Sequence, residues 1–182
     1  MKVFDDGRQL FNQREFYKCH DVLEELWHVS PEPQRSVLHG ILQCAVGLYH
    51  LQNQNHRGAL IQFGEGLHKL RRQQLRDGPL FDFEQGMSAL LEFVYNTQIE
   101  HAACDEETCA PMTGDDESYR LLGNFGAGQP MYTIEEGRDG CIYLHFNSAR
   151  QEKLVAQGFE QQRVVLPVLE VTEADLLELS CR

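Results

Sequence analysis

The stretch from Val37 to Leu51 limits the fold more than any other part of this sequence. Read as a helix over about 34–52, it carries Val37, Leu38, Ile41, Leu42, Cys44, Ala45, Val46, Leu48, Tyr49 and Leu51, and is therefore apolar nearly all round. Such a helix is stable only with other elements packed over most of its circumference. Its neighbours in the chain can supply them. Residues 14–28 place Phe16, Cys19, Leu23, Leu26 and Trp27 on one stripe at three- and four-residue steps, and Ser30-Pro31-Glu32-Pro33 ends that helix, because proline removes a donor and biases its predecessor away from helical angles. Asn53-Gln54-Asn55 turns the chain into a fourth helix with Leu60, Phe63, Leu67 and Leu70 inward, closing on Lys69, Arg71 and Arg72, cations that suit a helix C-terminus. Gly78-Pro79 breaks it. Asp82 is expected to cap a fifth helix with Phe83, Met87, Leu90 and Val94 on its inner stripe, and Asp5 with Asp6 to cap a short first one ending near Asn12.

Beyond residue 100 the pattern changes. Residues 101–130 are small, acidic and Gly-containing, with no apolar period, which reads as a linker. Met131–Glu135 and Cys141–Phe146 read as two strands around Gly137-Arg138-Asp139-Gly140, since Asp-Gly is a hairpin signal. Ser148 with Gln151 forms a capping-box pattern for a helix ending at Gly158, and Thr172 begins a last short helix. Between them residues 164–169 read as an edge strand, because Pro167 cannot donate to a ladder. The fold class predicted is mainly α: a multi-helix bundle over 1–100, the linker over 101–130, and a small C-terminal α+β appendix over 131–182, dispensable for folding of the bundle.

Sixteen Lys and Arg against 28 Asp and Glu give a formal charge of −12, which repels phosphate backbones and anionic membrane surfaces. The expected partner is a protein or a small molecule, not nucleic acid or a membrane. With no secretory signal at Met1–Asp6, the expected location is the cytoplasm, where the six cysteines would not form a disulfide framework. Cys19 and Cys44 fall on apolar helical positions as small buried hydrophobes, while Cys104 and Cys109 flank the acidic run Asp105-Glu106-Glu107. His28, His56 and His68 read as solvated.

The chemistry concentrates on two helices. His20 and Glu24, four residues apart, share one face beside Trp27, and His39, Gln43 and His50 fall on a single line along the otherwise apolar third helix. A buried polar line must find partners or cost about 1–3 kcal/mol per unsatisfied group. The two polar edges are expected to meet, putting His20, Glu24, Trp27, Gln43 and His50 in one cluster. Those same residues carry a resemblance. A His-acid-x-x-Glu-x-x-Trp helix (His20, Asp21, Glu24, Trp27) followed by Gly-x-x-Gln-x-x-x-x-x-x-His (Gly40, Gln43, His50) resembles the family of domain of unknown function 309 over about 4–72. That resemblance implies an all-helical bundle and no particular reaction.

Three readings stay open. The cluster is a hydrogen-bonded network fixing helix register, a pocket for a small organic ligand, or a metal site. In the last, His20, Glu24 and His50 would hold a divalent metal such as zinc and leave a position for water, the ligand set of several hydrolytic sites, with Gln43 orienting a ligand. The leading expectation is a cytoplasmic binding or interaction module. The alternative is a metal-dependent hydrolase.

Overall fold

The computed structural model describes residues 2–103 and 130–179. Among these, five helices form the N-terminal part: α1 (Lys2–Asn12), α2 (Phe16–Val29), α3 (Gln34–Gln52), α4 (His56–Arg71) and α5 (Pro79–Ala103). α3 sits at the centre, as its pattern demands, with Val37, Leu38, Ile41, Cys44, Ala45, Leu48 and Leu51 almost completely excluded from solvent. α2 and α4 pack along it on two flanks. The α3–α4 contact is the more intimate because glycines line it: a Cβ on Gly47 would meet the Phe63 ring at 2.4 Å.

The remainder is β1 (Tyr132–Glu136), β2 (Ile142–Phe146), α6 (Ala149–Ala156), β3 (Arg163–Val165) and α7 (Glu173–Glu178). The strands form an antiparallel sheet in the order β1-β2-β3, with Ile134 opposite Leu144 and Leu144 opposite Val164. This gives the expected class, mainly helical with a small C-terminal sheet. Among the described residues, no helix is long and apolar enough to cross a membrane.

The C-terminal part does not stand apart from the helices. Tyr132, Leu144, Phe146, Leu166, Leu169, Val171 and Leu176 join the same buried cluster as Phe4, Phe11 and the α3 residues. Two side-chain amides fasten it. Asn12 donates to the Leu169 carbonyl at 3.1 Å and accepts from the Leu169 N–H at 2.8 Å. Gln54 does the same at Tyr132, donating at 3.2 Å and accepting at 3.4 Å. The Tyr132 hydroxyl, buried deep enough to push its pKa well up, shares a hydrogen bond with Thr97 Oγ1 at 2.6 Å. Neither an amide clasp nor a shared core leaves a periodic mark in the sequence, so these contacts become visible only in the structure.

Several local expectations need correction. α1 begins at Lys2 and α5 at Pro79, so Asp5 and Asp82 lie inside the first turn, where a carboxylate favours the helix N-terminus, rather than at the cap. A proline at the first helical position costs nothing, since its missing donor had no partner anyway. α5 also runs to Ala103, into the expected linker. Ser148 caps α6 by accepting from the Gln151 N–H, but the Gln151 side chain accepts from the Gln162 N–H instead of completing the box. Thr172 and Asp175 do complete one on α7. β3 stops at Val165, two residues before Pro167. Cys19 and Cys44 are buried as expected, whereas Cys104 and Cys109 lie outside the described residues.

Candidate functional site

Two aromatic contacts fix how α2 lies on α3. Tyr17 meets Tyr49 with ring centroids 5.5 Å apart, and Trp27 meets His39 at 4.5 Å. The helices are therefore antiparallel, one step up α2 matching one step down α3, which sets His20 level with Val46 and Glu24 level with Leu42. His50 falls about four residues, or roughly 6 Å, beyond the level of His20. On the opposite flank Gly40 and Gly47 receive α4. At about 100° per residue, the line His39, Gln43, Val46, His50 falls between these two contact faces. It forms the floor of a polar groove walled by α2 and α4.

Gln43 is the buried centre of that floor, 7% exposed. Both ends of its amide are held from α4: Nε2 donates to Glu65 Oε2 at 2.7 Å, and Oε1 accepts from Lys69 Nζ at 2.7 Å. Lys69 and Glu65 are themselves 3.8 Å apart, closing a triangle. One turn along, half-buried His39 stacks on Trp27, which also meets His28 at 4.6 Å and the Arg35 guanidinium at 5.6 Å. Burial, then the positive charges of Lys69 and Arg35, hold the His39 pKa below its usual value against the opposing pull of Glu65. Its imidazole is therefore neutral near pH 7, able to donate from one nitrogen and accept at the other.

The partners of the five residues expected to cluster are as follows. Trp27 contacts His39; His20 Nδ1 pairs with Asp21 at 3.1 Å; His50 Nδ1 pairs with Asn55 Nδ2 at 3.1 Å. Glu24 is half-buried. Among the described residues, none of the five hydrogen-bonds another of the five. Nor does any group of three or more His, Cys, Asp or Glu among them stand ready to hold a metal ion, so His20, Glu24 and His50 are not gathered as a ligand set. The axial offset of His50 and the local partners of both histidines account for this.

Glu65, Lys69 and Arg35 were not foreseen as site residues. Lys69 reads in sequence as one more helix-end cation, yet Glu65 and Lys69 at four-residue spacing on α4 mark one face, and the adjoining Gly66 packs against α3. His56 is a second correction: it is buried, with its ring 5.3 Å from Tyr132, because the sheet covers the start of α4. A further polar set lies behind α4. Glu84 is buried; burial works to raise its pKa, and hydrogen bonds from Arg71 at 2.9 Å, Ser88 and Gln85 outweigh that and lower it.

Comparison with known proteins finds a family match in the N-terminal part. Residues 4–61, covering most of α1, α2, α3 and the start of α4, match the family model for a domain of unknown function, DUF309. An uncharacterised protein, YpuF, of Bacillus subtilis (strain 168) is 43% identical over 47 residues, 25% of this chain and 27% of that protein. The chain thus spans about a quarter of the length of that relative. No solved structure matches.

Proposed function

We propose that this protein is a binding module whose ligand contacts lie in the groove along α3 between α2 and α4. One observation carries the reading: Gln43, buried in the middle of an apolar helix, has both ends of its amide fixed by the ion pair of Glu65 and Lys69. Fixed, complementary polar groups beside a half-buried tryptophan set the orientation of a bound molecule at little ordering cost. What supports binding is the set of groups the described residues supply here: the amide of Gln43 held by Glu65 and Lys69, and the Trp27 ring against His39.

Trp27 is the single tryptophan of the chain, so its emission reports on this groove alone. The test is a fluorescence screen against small amides, carboxylic acids and heteroaromatic bases, with each response repeated on Gln43→Leu. We expect compounds that shift Trp27 emission saturably in the parent and fail to do so in the variant. A screen in which no response depends on Gln43 would sink the reading.

A further inference from the structure

We propose that the outer edge of β1 is a docking site for an extended peptide strand, with an apolar side chain entering beside Ile134 and a basic one beside Glu136. The register determines which backbone groups are on offer. Met131 O accepts from Asn147 N at 2.7 Å and Gly137 N donates to Cys141 O at 2.7 Å, so the odd-numbered residues of this hairpin face β2. By the alternation of an antiparallel ladder, the N–H and C=O of Tyr132, Ile134 and Glu136 point away from it. At Tyr132 those groups are taken by the side-chain amide of Gln54, which donates to the carbonyl and accepts from the N–H as a neighbouring strand would. The edge is thus already read by an amide at its first position. Among the described residues, no hydrogen bond reaches the outward groups of Ile134 or Glu136.

A pocket of about 270 Å³ lies beside that edge, lined by Leu51, Gln54, Pro130, Tyr132, Ile134 and Leu144 among others. It falls below the range of about 300–1,000 Å³ usual for small-molecule sites, and suits one side chain of a passing strand. Cross-strand partners share a face, so the residue opposite Ile134 would point into this pocket, and the residue opposite Glu136 would lie on the same side. Glu136 is exposed at the strand's end on a chain of net charge −12, and among the described residues it makes no ion pair. An antiparallel partner therefore reads basic-x-apolar. Main-chain hydrogen bonds would give the affinity and the pocket and the charge the selectivity, as in other strand additions.

The probe is the capped tetrapeptide Lys-Thr-Leu-Thr, titrated into the isotope-labelled full chain and followed by amide shifts and hydrogen exchange. The Ile134 and Glu136 amides are expected to shift together and exchange several-fold more slowly, an effect lost when the peptide leucine is N-methylated. It should also be lost in Ile134→Pro, whose missing donor faces outward and leaves the ladder to β2 intact. The methylated peptide leaves the protein untouched, so the test stands even where the variant folds poorly. Absence of the shift, or its persistence with the methylated peptide, overturns strand addition. Amides already slow to exchange in the free chain, or becoming slow with protein concentration, would show the edge covered by this chain or by a second copy, and overturn it equally. Trp27 emission reports the groove independently, so the two proposals fail separately.

Discussion

Gly40 and Gly66 lie against one another where α3 meets α4: a Cβ on Gly66 would come within 2.8 Å of the Gly40 carbonyl oxygen, and one on Gly40 within 3.1 Å of the Gly66 carbonyl oxygen. The obstacle is backbone, which cannot swing aside as a side-chain tip can. Gly66→Ala is therefore expected to lose about 1–3 kcal/mol despite the better helix propensity of alanine. Gly64, two residues away on the same helix, has nothing within 4 Å of its would-be Cβ, and Gly64→Ala should gain about 0.5–1 kcal/mol. Urea denaturation of the two variants checks the opposite signs.

Lys69→Met keeps the aliphatic stem but leaves Gln43 Oε1 without its donor. A loss of about 1–3 kcal/mol is expected, the cost of a buried acceptor deprived of a charged partner. The same variant should raise the His39 pKa, because the positive charge that lowers it most is gone. Imidazole shifts followed by NMR against pH would show this, and an unmoved titration would contradict the assigned geometry.

Acid should weaken the fold in two stages. His39 faces Trp27 on α2, Lys69 and Glu65 on α4, and Arg35 on its own helix, and its folded-state pKa lies below the ordinary histidine value. The unfolded chain therefore binds its proton first, and the stability His39 contributes is complete above the unfolded pKa, about 6.5, and is lost as pH falls through the folded one. Glu84, also lowered, keeps its contribution above about 4.3 and loses it further down. Thermal melts from pH 8 down to about 2.5 should show both declines, the second only below about 4.3, and His39→Gln should flatten the first alone.

A chain ending at Gln98 should aggregate or melt without cooperativity, because it would leave uncovered the faces that Tyr132, Phe146, Leu169 and Val171 bury. Asn12→Ala tests the same docking gently, with an expected loss of about 1–3 kcal/mol as the Leu169 amide and carbonyl lose their partners.

Of the thiols described, Cys141 alone is exposed. Burial pushes the Cys19 pKa up to about 12 and that of Cys44 higher still. Alkylation at pH 8, read by peptide mass, should modify Cys141 quickly and reach Cys19 and Cys44 only after unfolding.

What the sequence reveals and conceals follows from range. The three helices around Gln43 are legible because apolar spacing, Ser30-Pro31 and Asn53-Gln54-Asn55 act within a few residues; Asn55 indeed caps α4 by accepting from the Gly58 N–H at 3.0 Å. Gln43 is legible as a site residue for the same reason, being a lone amide in an apolar helix. Its partners are not, since nothing local tells Lys69 at a groove from Lys69 at a helix end. His56 looks solvated on α4 alone and becomes buried only once the sheet is placed over it. The grouping of His20, Glu24 and His50 requires helix register, which a periodic pattern leaves free to slide.

The clasp of Asn12 on Leu169 spans 157 residues of chain, and this has a bearing on synthesis at the ribosome. At about 5–20 residues per second, α1 waits roughly 10–30 s after it emerges before its partner is made. During that interval α2, α3 and α4 can assemble through short hairpins, while the apolar faces of Phe4 and Phe11 are still without the C-terminal residues of their cluster. The nascent chain is thus most exposed to wrong association late in translation, and slow decoding ahead of residue 169 would prolong that exposure.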